Sequence, residues 1–269
     1  MKFHKFSSAV ISVKDLGFRA LPACPDESGL VRVGSSMMTD YLKIVYAYRF
    51  ENGSTIKFDL LLDNKTLALV PEKRQDLPEW TLLGYCQCAI CPLDAVVHPR
   101  CPVAANFSGI VEKFKNFTSH DRVSVAVIVD ERTYSKSTTV QMGVSPLLGI
   151  IMTTSGCPIL EQLKPMVRFH LPFASIEETI FRMVSMHLVA QYLRKQAGKT
   201  AEWNLDGLTR IYAQVGEVNR DFAERMAGAS KNDVNVNALV NLDAFAKMVP
   251  LAADKMLKRI TPYFSALLK

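Results

Sequence analysis

No stretch of the chain holds five or more consecutive lysines or arginines, although its net charge is +6 and its pI is about 9.0. Nucleic-acid readers cluster their cations, so the charge supports a mildly basic soluble protein and signals no nucleic-acid partner. No apolar run reaches the ~18 to 20 residues that a membrane span needs. The most apolar window, GVSPLLGIIM at 143–152, has the length of a buried core helix. The N-terminus starts basic, but Lys14 and Asp15 interrupt its apolar stretch and make a poor secretory signal. Internal repeats, low-complexity tracts and a decisive catalytic signature are also missing. The expectation is a cytoplasmic protein whose reaction, if it has one, the sequence does not name.

With 269 residues and 49% hydrophobic content, there is material for a substantial core. Residues 1–37 show no sustained helical or strand period. They are expected to be a poorly ordered or non-native extension, with translation starting at Met37 or Met38 rather than Met1. Residues 38–269 then form a single composite domain, sheet-rich over 40–140 and helical over 141–269. LKIVYAYRF (42–50) alternates as a strand, Asn52-Gly53 favours a hairpin turn, and TIKFDLLL alternates again. Asp63-Asn64 then turns the chain into TLALV, predicting a three-stranded meander. AANFSGIVEKFKNF (104–117) reads as an amphipathic helix, and DRVSVAVIV and TYSKSTTV as paired strands.

Helices are expected near 141–154, 158–168, 175–197, 205–227, 234–248 and 250–267. Ser175 and Glu178 form a capping box before the third of these, whose apolar residues fall on all sides and predict a central helix. The fold class is therefore α+β, a small antiparallel sheet carrying a metal-binding loop and packed on a mainly helical C-terminal half.

That loop is GYCQCAICPLDAVVHPRCP (84–102), which holds four of the six cysteines. Zinc takes about four thiolate or imidazole ligands, and short C-x2-C steps supply two from one turn. Cys88, Cys91, His98 and Cys101 give C-x2-C-x6-H-x2-C, a Cys3His set with Cys86 as the alternative ligand. A structural zinc is the leading expectation. The rival is an iron–sulfur cluster, held by cysteine thiolates such as Cys86, Cys88, Cys91 and Cys101. Cys-Pro steps often follow the last cluster ligand, and they occur here at 91–92, 101–102 and 157–158.

A second region, TTSGCPILEQLKPMVRFHLPFASIEETIFR (153–182), places Cys157 just before a helix with Pro158 at its start. A helix N-terminus favours the thiolate, so Cys157 with His170 is a candidate nucleophilic pair. Glu178 and Arg182, at i and i+4, are candidate partners. This gives an enzyme, or a thiol redox sensor, as the alternative to a metal protein. His187 and Gln191 suit polar contacts between helices, as do Asn237 and Asn241. A protein partner or a homo-oligomer is compatible with the basic, amphipathic end DKMLKRITPYFSALLK.

Taken together, CAICPL…HPRCPVAANF, the long phrase from DERTYSKSTTV to EETIFR, and NVNALVNLD resemble an uncharacterised bacterial family, known only as a domain of unknown function. The resemblance covers roughly residues 40–250. It implies Cys88, Cys91, His98 and Cys101 as the core of the cluster, treats Cys86 as an extra, and draws attention to Cys157, His170 and Glu178. It implies no activity.

Overall fold

The structure is a computed structural model that describes residues 40–269 except 73, 75, 131 and 230–232. The expected extension at 1–37 and the start at Met37 or Met38 lie outside the described residues. The fold is α+β, built on a four-stranded antiparallel sheet ordered β2-β1-β3-β4. Strands β1 (Tyr41–Phe50) and β2 (Thr55–Asp63) form the expected hairpin, with Tyr46 opposite Phe58. Gly53 takes a φ of 83° in its turn, a conformation that glycine adopts at no steric cost.

The third strand of the predicted meander is not a strand. TLALV keeps only an isolated bridge, Leu62 to Leu69, and the free edge of β1 is taken by β3 (Arg122–Val129). The reason lies in the turn. Asp63 Oδ1 accepts from the Lys65 and Thr66 N–H groups at 3.0 and 2.7 Å. The returning chain keeps only the Asp63 N–H to Ala68 O and Val70 N–H to Leu61 O bonds, at 2.9 and 2.8 Å, and the Leu69 N–H faces away and donates to Thr154 O at 2.9 Å. Strand β4 (Arg132–Thr139) pairs with β3 as expected.

One face of the sheet buries Leu42, Ile44, Tyr46, Tyr48 and Phe50 from β1 with Val123, Val125 and Val127 from β3. Period-two alternation puts these side chains on one side, and two helices cover them. Helix α1 (Pro102–Phe114) sets the Phe114 ring edge-on to Tyr48 at 5.1 Å. Helix α2 (Val140–Thr154) is the central helix, buried along most of its length. A Cβ on Gly143 would sit 2.7 Å from Val125 Cγ2, so a glycine is what lets α2 approach the sheet this closely. Tyr48 Oη donates to Gly143 O at 3.1 Å in the same contact.

The 158–168 region divides into a 3-10 turn at Leu160–Leu163 and a short α3 (Lys164–Arg168), since Pro165 lacks the N–H needed to continue one helix. Helix α4 (Ile176–Gln196) is not central. It buries a single stripe, Ile180, Met183, Val184 and His187, while Phe181, Val189, Tyr192 and Leu193 are exposed. With α2 filling the core, α4 covers it from outside. His187 and Gln191 do make inter-element contacts, the ring Nε2 lying 2.9 Å from Asn204 O and the amide Oε1 accepting from the Glu202 N–H at 2.9 Å. Helix α5 (Asp206–Ala229) is amphipathic as expected, and α6 (Asp233–Ile260) is bent by 71° between Val234–Met248 and Ala252–Phe264, close to the two helices expected at 234–248 and 250–267. Among the described residues, no single helix is long and apolar enough to cross a membrane.

Candidate functional site

The cysteine loop is closed at its neck by short antiparallel pairing. Leu82 bridges Arg100, the Leu83 N–H donates to Pro99 O at 3.0 Å, and the Cys101 N–H donates to Thr81 O at 2.8 Å. Helix α5 clamps the neck from outside. Arg225, only 1% exposed, donates from Nη1 to Trp80 O and Leu82 O, both at 2.7 Å, and from Nη2 to Leu83 O at 3.1 Å and Cys86 O at 3.2 Å. One turn earlier, Asp221 Oδ2 accepts the Ala89 N–H at 2.9 Å. A buried guanidinium is costly unless its donors are met, and here four backbone carbonyls meet most of them. The sequence reading missed Arg225. Its position was the available signal, for it falls three residues after Phe222 and seven after Val218 on the apolar stripe of α5.

The loop delivers three thiols to one region, and a fourth arrives from elsewhere. Cys88 and Cys91 share a tight turn, with the Cys91 N–H donating to Cys88 O at 3.0 Å. Cys101 is the N-cap residue of α1, where the backbone N–H groups of Ala104 and Val103 favour its thiolate. Cys157 lies two residues before the N-cap of the 3-10 turn, where the N–H groups of Leu160 and Ile159 act in the same direction. These thiols lie within one another's field. Burial pushes the Cys88 thiol up to about 12, and Cys101, Asp221, Cys91 and Cys157 push in the same direction. Burial likewise raises Cys101 and Cys157, with Cys91 acting on both and Cys101 on Cys157.

Of the sequence-predicted quartet, then, Cys88, Cys91 and Cys101 lie within electrostatic range of one another, and Cys157 acts on Cys88 as well. His98 is exposed and does not figure among the groups acting on these thiols, and Cys86 is exposed with a φ of 45°. Among the described residues, no three His, Cys, Asp or Glu side chains converge closely enough to hold a single metal ion.

Among the candidate enzyme residues, Arg182 lies close enough to act electrostatically on both His170 and Glu178. His170 Nε2 lies 2.6 Å from Tyr46 Oη, and burial, helped by the Arg182 cation, lowers the imidazole to about 3. Its hydrogen-bond partner is thus Tyr46, and a ring so weakly basic is a poor activator of Cys157. A desolvated thiol with a raised pKa is also a poor nucleophile. Glu178 completes the predicted capping box, its carboxylate accepting the Ser175 N–H at 2.7 Å. Arg182 instead donates from Nη2 to Met166 O and Phe169 O at 2.8 and 2.7 Å. His170 and Arg182 line a cavity of about 280 Å³, to which Leu160 also contributes.

The sequence model of a family described as a domain of unknown function (DUF6901) matches residues 44–265. No curated protein and no solved structure matches the chain.

Proposed function

Since the chain belongs to the DUF6901 family, a domain of unknown function, its role has to be read from its own side chains, and we propose that it binds an iron–sulfur cluster through Cys88, Cys91, Cys101 and Cys157. The observation that carries this reading is that four thiols from two distant segments, the 84–101 loop and the turn after α2, lie within electrostatic range of one another. Three features support it. Cys91, Cys101 and Cys157 are each followed by proline, a step common after cluster ligands. Backbone N–H groups at the N-terminus of α1 and at the 3-10 turn favour the thiolates of Cys101 and Cys157, as cluster ligands require. Arg225 places a buried cation close enough to Cys101 to favour its thiolate, as an anionic centre requires.

Zinc is the second reading, favoured by the Cys88–Cys91 turn. A tetrahedral zinc at about 2.3 Å from each sulfur would hold its ligands within about 4 Å of one another. The centre would serve as a one-electron site near the surface of a cytoplasmic protein, since much of the 84–100 loop is exposed.

Anaerobic reconstitution with iron and sulfide tests the reading. Brown colour with matched iron and sulfide per chain is expected, lost in Cys157→Ser and kept in Cys86→Ser and in His98→Ala. Colourless protein with stoichiometric zinc would support the second reading. Metal content that survives Cys157→Ser but not His98→Ala would restore the Cys3His arrangement and overturn the proposed ligand set.

A further inference from the structure

The cavity lined by His170 and Arg182 is walled by β4, α2, α4, α5, α6 and the 160–174 segment. Its interior is largely apolar and rich in methionine, including Met152, Met166 and Met183 together with Leu163, Phe173 and Phe245. Methionine is flexible and polarisable, and surfaces rich in it adapt to flexible apolar ligands. Two cations stand in the same lining, Arg182 and Lys136. Lys136 lies 6.0 Å over the Phe173 ring, and Arg182 engages its two carbonyls through Nη2 alone. Neither has a carboxylate within ion-pair distance among the described residues.

Three details mark the cavity as more than a packing gap. Gly149 sits in the interior of α2, where glycine costs about 1 kcal/mol relative to alanine. A Cβ there would meet only Leu242 Cδ2, at an ordinary 3.8 Å, so sterics do not demand the glycine. What the missing side chain preserves is open space at the cavity wall. Phe173, another lining residue, holds a φ of 62°, a strained conformation for a bulky side chain and one found at ligand clamps. Asn241 Nδ2, also in the wall, is buried without a hydrogen-bond partner.

We propose that this cavity binds a free medium-chain carboxylate, with the carboxylate on the open N–H groups of Arg182 and the acyl chain among the methionines. At about 280 Å³ the cavity is near the lower end of small-ligand sites, which suits a single medium-length acyl chain such as that of octanoate. Arg182 is suited to the head group because a guanidinium presents paired donors that match a carboxylate. The inference is independent of the metal reading.

Calorimetric titration of sodium octanoate into the purified full-length protein tests it, with 1-octanol and sodium acetate as comparators. Saturable one-site binding of octanoate is expected. Octanol should bind about tenfold more weakly or worse, and acetate should not bind measurably. Arg182→Met should lose at least about tenfold in octanoate affinity. Gly149→Leu should abolish binding while thermal stability stays level or rises, so the outcome does not depend on Arg182→Met folding well. Octanol matching octanoate, no saturable heat at millimolar octanoate, or unchanged affinity in Gly149→Leu would each overturn the proposal.

Discussion

Arg225 holds in place a loop that buries little core of its own. Its two terminal nitrogens reach Trp80, Leu82, Leu83 and Cys86 carbonyls at once, a geometry that only a planar fork supplies. Arg225→Met should therefore lower stability by about 3 kcal/mol or more, read as a shift in the urea midpoint. Arg225→Lys should recover only part of the loss, because one ammonium cannot span four acceptors. A second residue makes stability depend on pH. His170 has a folded pKa of about 3, well below the value of about 6.5 expected when unfolded. Between these values the unfolded chain binds a proton that the folded chain refuses. Its contribution is thus complete above about pH 6.5 and is lost as the pH falls toward 3, by up to about 1.4 kcal/mol per pH unit. Denaturation at pH 7.5 and 5.0 should show this slope, and His170→Gln should flatten it. An unchanged slope in that variant would remove His170 as the cause.

At the scale of elements, what was legible in the sequence is what local chemistry decides. The Ser175–Glu178 capping box, the Asn52-Gly53 hairpin and the burial of GVSPLLGIIM are each set within a few residues, and each is present. Ser175→Ala should accordingly cost about 1 kcal/mol, measurable as a loss of thermal stability with the fold retained. The order of the strands and the rank of the helices were not legible. Alternation in TLALV cannot reveal that the Leu69 N–H will go to α2, nor that β3 will occupy the free edge of β1. Apolar residues around α4 likewise do not say which helix fills the core first. Phe181, Val189 and Tyr192 are apolar and yet exposed, because α2 already lies over the sheet.

At the scale of the whole molecule, the proposed centre would join segments that the sequence reading kept apart. Spacing singled out Cys88, Cys91 and Cys101, and it marked Cys157 as a cysteine before a helix. It could not pair Cys157 with a loop so far upstream, and it favoured His98, which the fold leaves exposed. A bound centre linking Cys88 to Cys157 would act as a cross-link, worth about 4 kcal/mol in the chain-entropy model. Loaded protein should thus unfold at a clearly higher temperature than chelated protein, and Cys157→Ser should behave like the chelated form. Equal melting of loaded and chelated protein would mean that no such cross-link exists. The position of Asp221 and Arg225, one turn apart on α5, also decides how portable the cysteine segment is. Cut out as a peptide, residues 84–102 would carry three of the four sulfurs and neither of the side chains that shape their backbone. A graft onto a foreign scaffold would need a helix of matching register alongside it, so the loop and α5 form one unit of design.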